Sequence, residues 1–563
     1  MSEEQISKIE VIKREGHHLR GTIAKALQDG AVKFSEENIE QLKFHGVYQQ
    51  DDRDLRKMLR QEGKDRHYMM MIRVRIPGGI LSANQYLQFD QISERYGNQT
   101  MRITTRQTFQ LHGILKGDLK ASIQAINACL ITTLGGCGDQ VRNMTACAKP
   151  RMGPCAEWVR QDLLVLVDRF SAKTHAYHEI WLDGEQITLA EDESEEPLYG
   201  RTYLPRKFKF GLAFEGDNCV DVYSNDIGII AHLENDEPAG YTLVVGGGMG
   251  RTVSDPATYP RLASAFAFVT REQLAATCEA IVTVQRDYGN RENRKFARLK
   301  YLIEHMGLDT FRILVEERLG YALAPPRELN WHSFQDHLGW HSLDHSDIGF
   351  LGIYVENGRI MDTAHLRLKS VLRQVIARYQ PTIHLTTQQN LILNGIRQKD
   401  RANIEMLLRE AGVFLHENIS VLRQNAMACP SMPTCGLGIA ESERALPSLL
   451  SKLEQVIARY GLSDEPITVR MTGCANGCTR PYISDIGFVG RVVGKYDIFL
   501  GANSLGTRLN ELFLEQIPFQ SLVDTIEPVI LVYANQRMAG ERFGDFCHRV
   551  GLESLRKGVS ISG

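Results

Sequence analysis

Two stretches of this chain, 282 positions apart, read alike. RITTRQTFQLHGI at 102–114 aligns with HLTTQQNLILNGI at 384–396. Forty residues after each start, RNMTAC at 142–147 aligns with QNAMAC at 424–429, at the same offset. One offset shared by two separated matches marks a duplicated module. The chain must therefore fold as related halves, and its 563 residues are too many for a single core.

The differences between the copies carry the function. Copy one keeps Arg102, Arg106 and Arg142, where copy two has His384, Gln388 and Gln424. Copy two has Cys429 and Cys435 in a C-x5-C pair, whereas copy one has Cys147 and Cys155, spaced differently and with no C-x3-C counterpart. Positive charge kept in one half and metal-competent thiols in the other predict one working site where the halves meet. The equivalent second site is then vestigial.

A second pair, Cys474 and Cys478 in MTGCANGC, completes a set of four cysteines. The N-terminus MSEEQISKIEVIKREGHH has no apolar stretch of the secretory kind, so the expectation is a cytoplasmic chain with reduced thiols. Structural zinc favours tighter knuckles than C-x5-C, whereas iron–sulfur clusters take four thiolates from loops joined by the fold. Gly473, Gly477, Pro430 and Pro433 suit such loops. The spacing favours an iron–sulfur cluster and leaves zinc and buried free thiols open. The other seven cysteines, Cys147 and Cys219 among them, read as buried free thiols.

Residues 68–76, YMMMIRVRI, alternate as a strand with Arg73 and Arg75 on one face. MRITTRQTFQLHG reads as one further strand, with Arg102, Thr104, Arg106, Thr108, Gln110 and His112 on a shared polar face. YLPRKFKFGLAF at 203–214 sets Lys207 and Lys209 opposite Phe208 and Phe210. QRDYGNRENRKFARLKY at 285–301 reads as a basic helix. VVGGGMGR fails the dinucleotide pattern, because Val253 stands at the third glycine position; its amides remain available to a carboxylate. Composition is ordinary, 43% hydrophobic and 24% charged, with a net charge of −3. Neither a membrane span nor generic nucleic-acid binding is expected.

NAMACPSMPTC followed by TGCANGC resembles the signature of the sulfite and nitrite reductase family, and similar segments run from FHGVYQQDDRD to ERFGDFCHRVG. The resemblance implies an α+β fold of three domains: pseudo-twofold duplicated ferredoxin-like half-domains plus two α/β sulfite/nitrite-reductase domains. The expected divisions are an arm at 1–65 that docks a partner, half-domains at 66–145 and 341–421, a central α/β domain at 146–340, and a cysteine-bearing domain at 422–563. It also implies a [4Fe–4S] cluster on Cys429, Cys435, Cys474 and Cys478, with Cys478 shared with a sirohaem. Sulfite would be held by Arg73, Arg142, Lys207 and Lys209 and reduced by six electrons and six protons. Arg102, Thr104, Arg106 and Gln110 are candidates for the sirohaem carboxylates, and Asn476 for a hydrogen bond to sulfur. With no flavin or NADPH motif visible, the implied electron donor is an NADPH-dependent flavoprotein subunit in a hetero-oligomer. A sirohaem nitrite reductase is the neighbouring reading, and a non-catalytic zinc or iron–sulfur scaffold is the alternative of another class.

Overall fold

The computed structural model describes residues 6–183, 196–234, 237–343 and 347–558. The first module contributes β1 (Val47–Asp51), β2 (Tyr68–Arg73), β3 (Ile80–Leu81), β4 (Met101–Ile103) and β5 (Phe109–Ile114). A central domain follows with β6 (Thr145–Ala146), β7 (Phe210–Phe214), β8 (Gly216–Asp217), β9 (Ile227–Glu234), β10 (Glu237–Val245), β11 (Ser264–Val269) and β12 (Trp331–Ser333). The second copy has β13 (Gly339–Ser342), β14 (Ile348–Ile353), β15 (Arg359–Ile360), β16 (Thr382–Leu385) and β17 (Leu391–Arg397). The last domain has β18 (Ala426–Ala428), β19 (Val469–Thr472), β20 (Ile486–Val492), β21 (Lys495–Leu500) and β22 (Glu511–Pro518).

The two half-domain sheets exchange an edge strand. One runs β1-β2-β5-β4-β15 and the other β13-β14-β17-β16-β3, so each is completed by two residues of the other copy. The hairpins share one register: Arg102 faces Gln110 across β4 and β5, and His384 faces Ile392 across β16 and β17. The exchange leaves no room for side chains at its corners. A Cβ on Gly358, whose φ is +74°, would lie 2.3 Å from the Ile103 carbonyl oxygen; at Gly79, φ +76°, it would lie 2.7 Å from that of Leu385.

The duplication extends further than the repeats in sequence. In the central sheet β6 pairs parallel with β7, and β7 with β9, through Thr145–Gly211 and Phe210–Ile227. In the last sheet β18 pairs parallel with β19, and β19 with β20, through Met427–Arg470 and Val469–Ile486. The leading strands correspond at an offset of 282, the following ones at 259. Two large apolar cores result: one gathers residues from Leu19 to Leu415, the other from Leu422 to Leu555. The cysteine-bearing domain therefore has its own core.

Three expectations are corrected. The stretch 101–114 is a hairpin, not one strand. Thr104 Oγ1 accepts from the backbone N–H groups of Arg106 (3.1 Å) and Thr108 (3.3 Å), and this local capture ends β4 after Ile103. The shared polar face of even positions accordingly breaks at the turn. The arm is not all peripheral: Leu42, Phe44 and Val47 are buried and β1 is an edge of the first sheet. The basic stretch 285–301 is no single helix; the helix Arg271–Tyr288 ends at Gly289, and Arg294 and Lys295 sit in a short turn before the helix Leu299–Met306.

Gly358→Ala, placing a methyl against a backbone carbonyl at positive φ, is expected to destabilise the protein by about 2 kcal/mol or more. Denaturant unfolding measures it; an unchanged midpoint would show that the strand exchange tolerates the added atom.

Candidate active site

The four cysteines meet at the ends of β18 and β19. Cys429 follows β18, its N–H bonded to the Met471 carbonyl at 3.3 Å. Cys474 and Cys478 follow β19. Gly473 is required by close approach rather than by a turn, because a Cβ there would lie 1.8 Å from Ser431 Oγ. Its N–H points at Cys429 Sγ at 3.4 Å, and Asn476 Nδ2 lies 3.5 Å from Cys474 Sγ. Burial, and then the charge of Cys478, push the Cys474 thiol up to about 11 and raise Cys429 and Cys435 as well. Such a set cannot ionise without a cation among the sulfurs.

Charged side chains from the first module hold these loops. Glu443, whose N–H bonds the Cys429 carbonyl, lies between Arg102 (2.9 Å) and Arg359 (2.7 Å). Arg102 also donates to the Ala428 carbonyl at 2.8 Å. Both guanidinium groups pull Glu443 down to about 2 against its burial. Arg102 thus engages protein partners. Thr104 is likewise taken up by the β4–β5 turn. Arg53, in the supposed arm, donates to the carbonyls of Cys435 (3.0 Å) and Gly438. Thr105 Oγ1 donates to the Cys478 carbonyl at 3.0 Å. Sequence reasoning missed Glu443, Arg359, Arg53 and Thr105; only the hairpin reading would have turned Thr105 towards the cysteines.

Facing the sulfurs is a set of cations without acidic partners. Lys207 and Lys209 have no ion pair among the described residues. Burial, then neighbouring cations, hold both well below the usual lysine range. Lys209 also senses Cys478, as does Arg73. Arg73 donates to Cys137 Sγ at 3.3 Å, and the Gln110 amide, turned with its oxygen inward, accepts from it at 2.5 Å. Gln110 therefore positions Arg73. Arg142 donates Nε to the Gly138 carbonyl at 3.1 Å. Arg106 reaches Asn225 (2.7 Å) and the carbonyls of Asn143 (2.6 Å) and Phe210 (2.7 Å); its Nε has no partner, and burial, then Arg480, lower it to about 9. Arg75, although two residues from Arg73, bonds Ser171 and the Val167 carbonyl and lies outside this group.

A cavity of about 300 Å³ adjoins, lined by Arg206, Lys207, Arg251, Arg298 and Asn476 among others. Arg251 Nε has no hydrogen-bond partner, and Arg251 Nη2 reaches Asp497 Oδ2 only at 3.5 Å. Such a lining fits a ligand carrying many carboxylates. Arg294 and Arg298 are partly engaged by Asp139 and Asp226. The glycine loop offers fewer amides than expected: those of Gly246, Gly247, Gly248 and Arg251 bond protein carbonyls, the last that of Ala475 at 3.0 Å. The loop therefore buttresses the Cys474–Cys478 turn.

A paired set of sulfurs opposite buried cations, on duplicated ferredoxin-like halves, defines a redox enzyme acting on a small anion. The chain matches the nitrite and sulphite reductase 4Fe-4S domain over residues 164–323 and 422–562, and the nitrite/sulfite reductase ferredoxin-like half domain over 61–129 and 345–411. It belongs to the nitrite and sulphite reductase family. Among its relatives, the sulfite reductase [NADPH] hemoprotein beta-component of Staphylococcus haemolyticus is 43% identical, covering 98% of this chain and 97% of that one. That of Geobacillus thermodenitrificans is 43% identical over 97% and 96%. The solved structure of the Mycobacterium tuberculosis NirA protein superposes with a TM-score of 0.78 at 25% identity, covering 98% of each chain.

The folded Glu443 carboxyl lies below its ordinary value of 4.5, so its stabilisation is full above that pH and is lost as the pH falls towards 2. Glu443→Gln is expected to lower stability at neutral pH and to flatten this acid limb. Unfolding midpoints across about pH 3 to pH 7 measure it; parallel curves for both proteins would show that the carboxylate is not the anchor.

Proposed function

We propose that this chain is the haemoprotein component of an NADPH-dependent sulfite reductase, reducing sulfite to sulfide. The observation that carries the reading is the convergence of Arg73 and Lys209 on Cys478 within a cationic lining. Cys429, Cys435, Cys474 and Cys478 would hold the [4Fe–4S] cluster, with Cys478 shared with the sirohaem. When bound, these groups supply a sulfur-binding iron and electrons delivered one at a time.

The chain's own residues do the rest. Arg73, Arg142, Lys207 and Lys209 bind the oxyanion from several sides, the guanidinium groups by paired donors and the lysines as point charges. Hydrogen sulfite with six electrons and six protons gives hydrosulfide and three waters. Lysines held below their usual range release protons readily and regain them from water, so they can both neutralise the anion and protonate the departing oxygens. Arg206, Arg251 and Arg298 line the space for sirohaem carboxylates, with the unpartnered Nε of Arg106 behind them. Asn476 tunes the Cys474 sulfur by its hydrogen bond.

The reducing equivalents come from a flavoprotein subunit, docked in part by exposed residues of segment 1–65. No helix among the described residues is long and apolar enough to cross a membrane, and we place the complex in the cytoplasm.

Lys209→Ala and Arg142→Ala should each lower kcat/KM for sulfite by about 100-fold or more while iron content and visible absorption persist. Normal kinetics would remove them from the substrate site. Gln388→Ala, in the second copy, should leave turnover unchanged. Cys478→Ser should lose sirohaem and cluster together; retention of both at normal activity would end the shared-ligand assignment. Faster turnover of nitrite than of sulfite would move the protein to the other branch of its family.

Lowered lysine pKa values also set a pH dependence. Anion binding draws protons onto Lys207 and Lys209, so sulfite affinity should weaken as the pH rises. A dissociation constant that does not change with pH would show that binding takes up no proton at the two lysines.

A further inference from the structure

The site equivalent to the four cysteines has not been emptied; it has been rebuilt. Cys147 N–H bonds the Leu212 carbonyl at 3.0 Å, as Cys429 N–H bonds that of Met471. Thr387 Oγ1 donates to the Cys219 carbonyl at 2.7 Å, as Thr105 Oγ1 does to that of Cys478. Cys147 and Cys219 therefore stand where Cys429 and Cys478 stand in the other copy, and Asp217 takes the place of Asn476. At the register positions of Arg73, Arg142, Lys207 and Lys209 the second copy has Gly352, Gln424, Pro466 and Thr468. No substrate cation survives, yet two thiols do.

A histidine and a carboxylate complete the group. Cys147 Sγ, Cys219 Sγ, an Asp217 oxygen and a ring nitrogen of His337 all lie within 4.8 Å of one another. The sulfurs are 3.2 Å apart, Cys147 Sγ is 3.6 Å from Asp217 Oδ2, and His337 Nε2 is 3.2 Å from the same oxygen. A tetrahedral centre with bonds of about 2.0–2.3 Å has edges of about 3.3–3.8 Å. These separations are close to that figure, and the sulfurs lie well beyond the roughly 2.05 Å of a disulfide. The His337 side chain is 9% exposed, and its Nε2 faces only the Asp217 carboxylate and the Cys147 thiol. Two thiolates and a carboxylate would bury three negative charges; the nearest fixed cation, Arg151, stays 3.8 Å from Asp217.

We propose that Cys147, Asp217, Cys219 and His337 bind one divalent zinc ion as a closed, four-coordinate structural site. Sulfur and imidazole donors select zinc over magnesium or calcium, and two thiolates are too few for a cuboidal cluster. The ligands come from the end of β6, from β8 and the turn after it, and from the loop between β12 and β13. The ion therefore ties the central domain to the second half-domain, on the side of the pseudo-twofold axis opposite the active site. A cavity of about 240 Å³ bordered by Cys147, Arg151 and Phe214 gives the ion a way in.

The test is elemental analysis of the purified full-length protein, with iron measured on the same sample, and zinc K-edge absorption spectroscopy. About one zinc per chain, with two sulfur ligands near 2.3 Å and two nitrogen or oxygen ligands near 2.0 Å, is expected. Cys219→Ser and His337→Ala should each lose zinc about tenfold or more with iron content and visible absorption unchanged. If either variant fails to fold, the wild-type ligand shell decides alone. Less than about 0.1 zinc per chain after purification with added zinc would overturn the site. So would a shell without sulfur, or a Cys147–Cys219 disulfide recovered from protein alkylated without oxygen.

Discussion

Everything at the active site rests on one buried ion-pair network. Glu443 lies between Arg102 and Arg359, and its backbone is tied to Cys429. The network joins the sheet of the first module to the loop that carries the first sulfurs. Charges so buried would be costly alone; together with the Ala428 carbonyl and Thr100, which receives Arg359 at 3.0 Å, each is satisfied. The cysteine-bearing domain has its own apolar core, so it is polar contacts of this kind that set the sulfurs opposite the cations. Arg480, bonded to Asp221 at 2.5 Å and to the Thr387 carbonyl at 3.1 Å, does the same near the pseudo-twofold axis.

The symmetry explains both the working site and its twin. Asp221 and Arg480 occupy equivalent positions, each in left-handed conformation before a short helical turn, and they pair with one another across the axis. Exchange of β3 and β15 locks the two half-domains into one body. Once locked, a duplicated protein needs only one reactive centre. The cations were kept beside one sulfur set, and the other position was free to take a different ligand chemistry.

Much of this was legible beforehand. The repeat at offset 282, the two spaced cysteine pairs, and the lysines set against buried Phe208 and Phe210 were all plain in the residues. Alternation places Arg102 on a face without saying which partner waits there; the fold brings Glu443, more than three hundred residues away, against it. The 101–114 stretch misled for a local reason, the capture of backbone amides by Thr104. Cys219 read as one more buried thiol because its equivalence to Cys478 depends on an offset of 259, which inserted chain conceals from any single-offset comparison.

By itself the sequence determined that the chain is duplicated, that one copy carries two spaced pairs of thiols, and that the other keeps the cations. Periodicity, spacing and residue chemistry are local properties, and they survive in one dimension. Only the tertiary structure decided which arginines face the site and which are engaged by carboxylates, that Arg53 and Thr105 clasp the cysteine loops, and that Cys147, Asp217, Cys219 and His337 converge. Those outcomes depend on distances between segments far apart in the chain, which are set when the sheets exchange strands and the cores close.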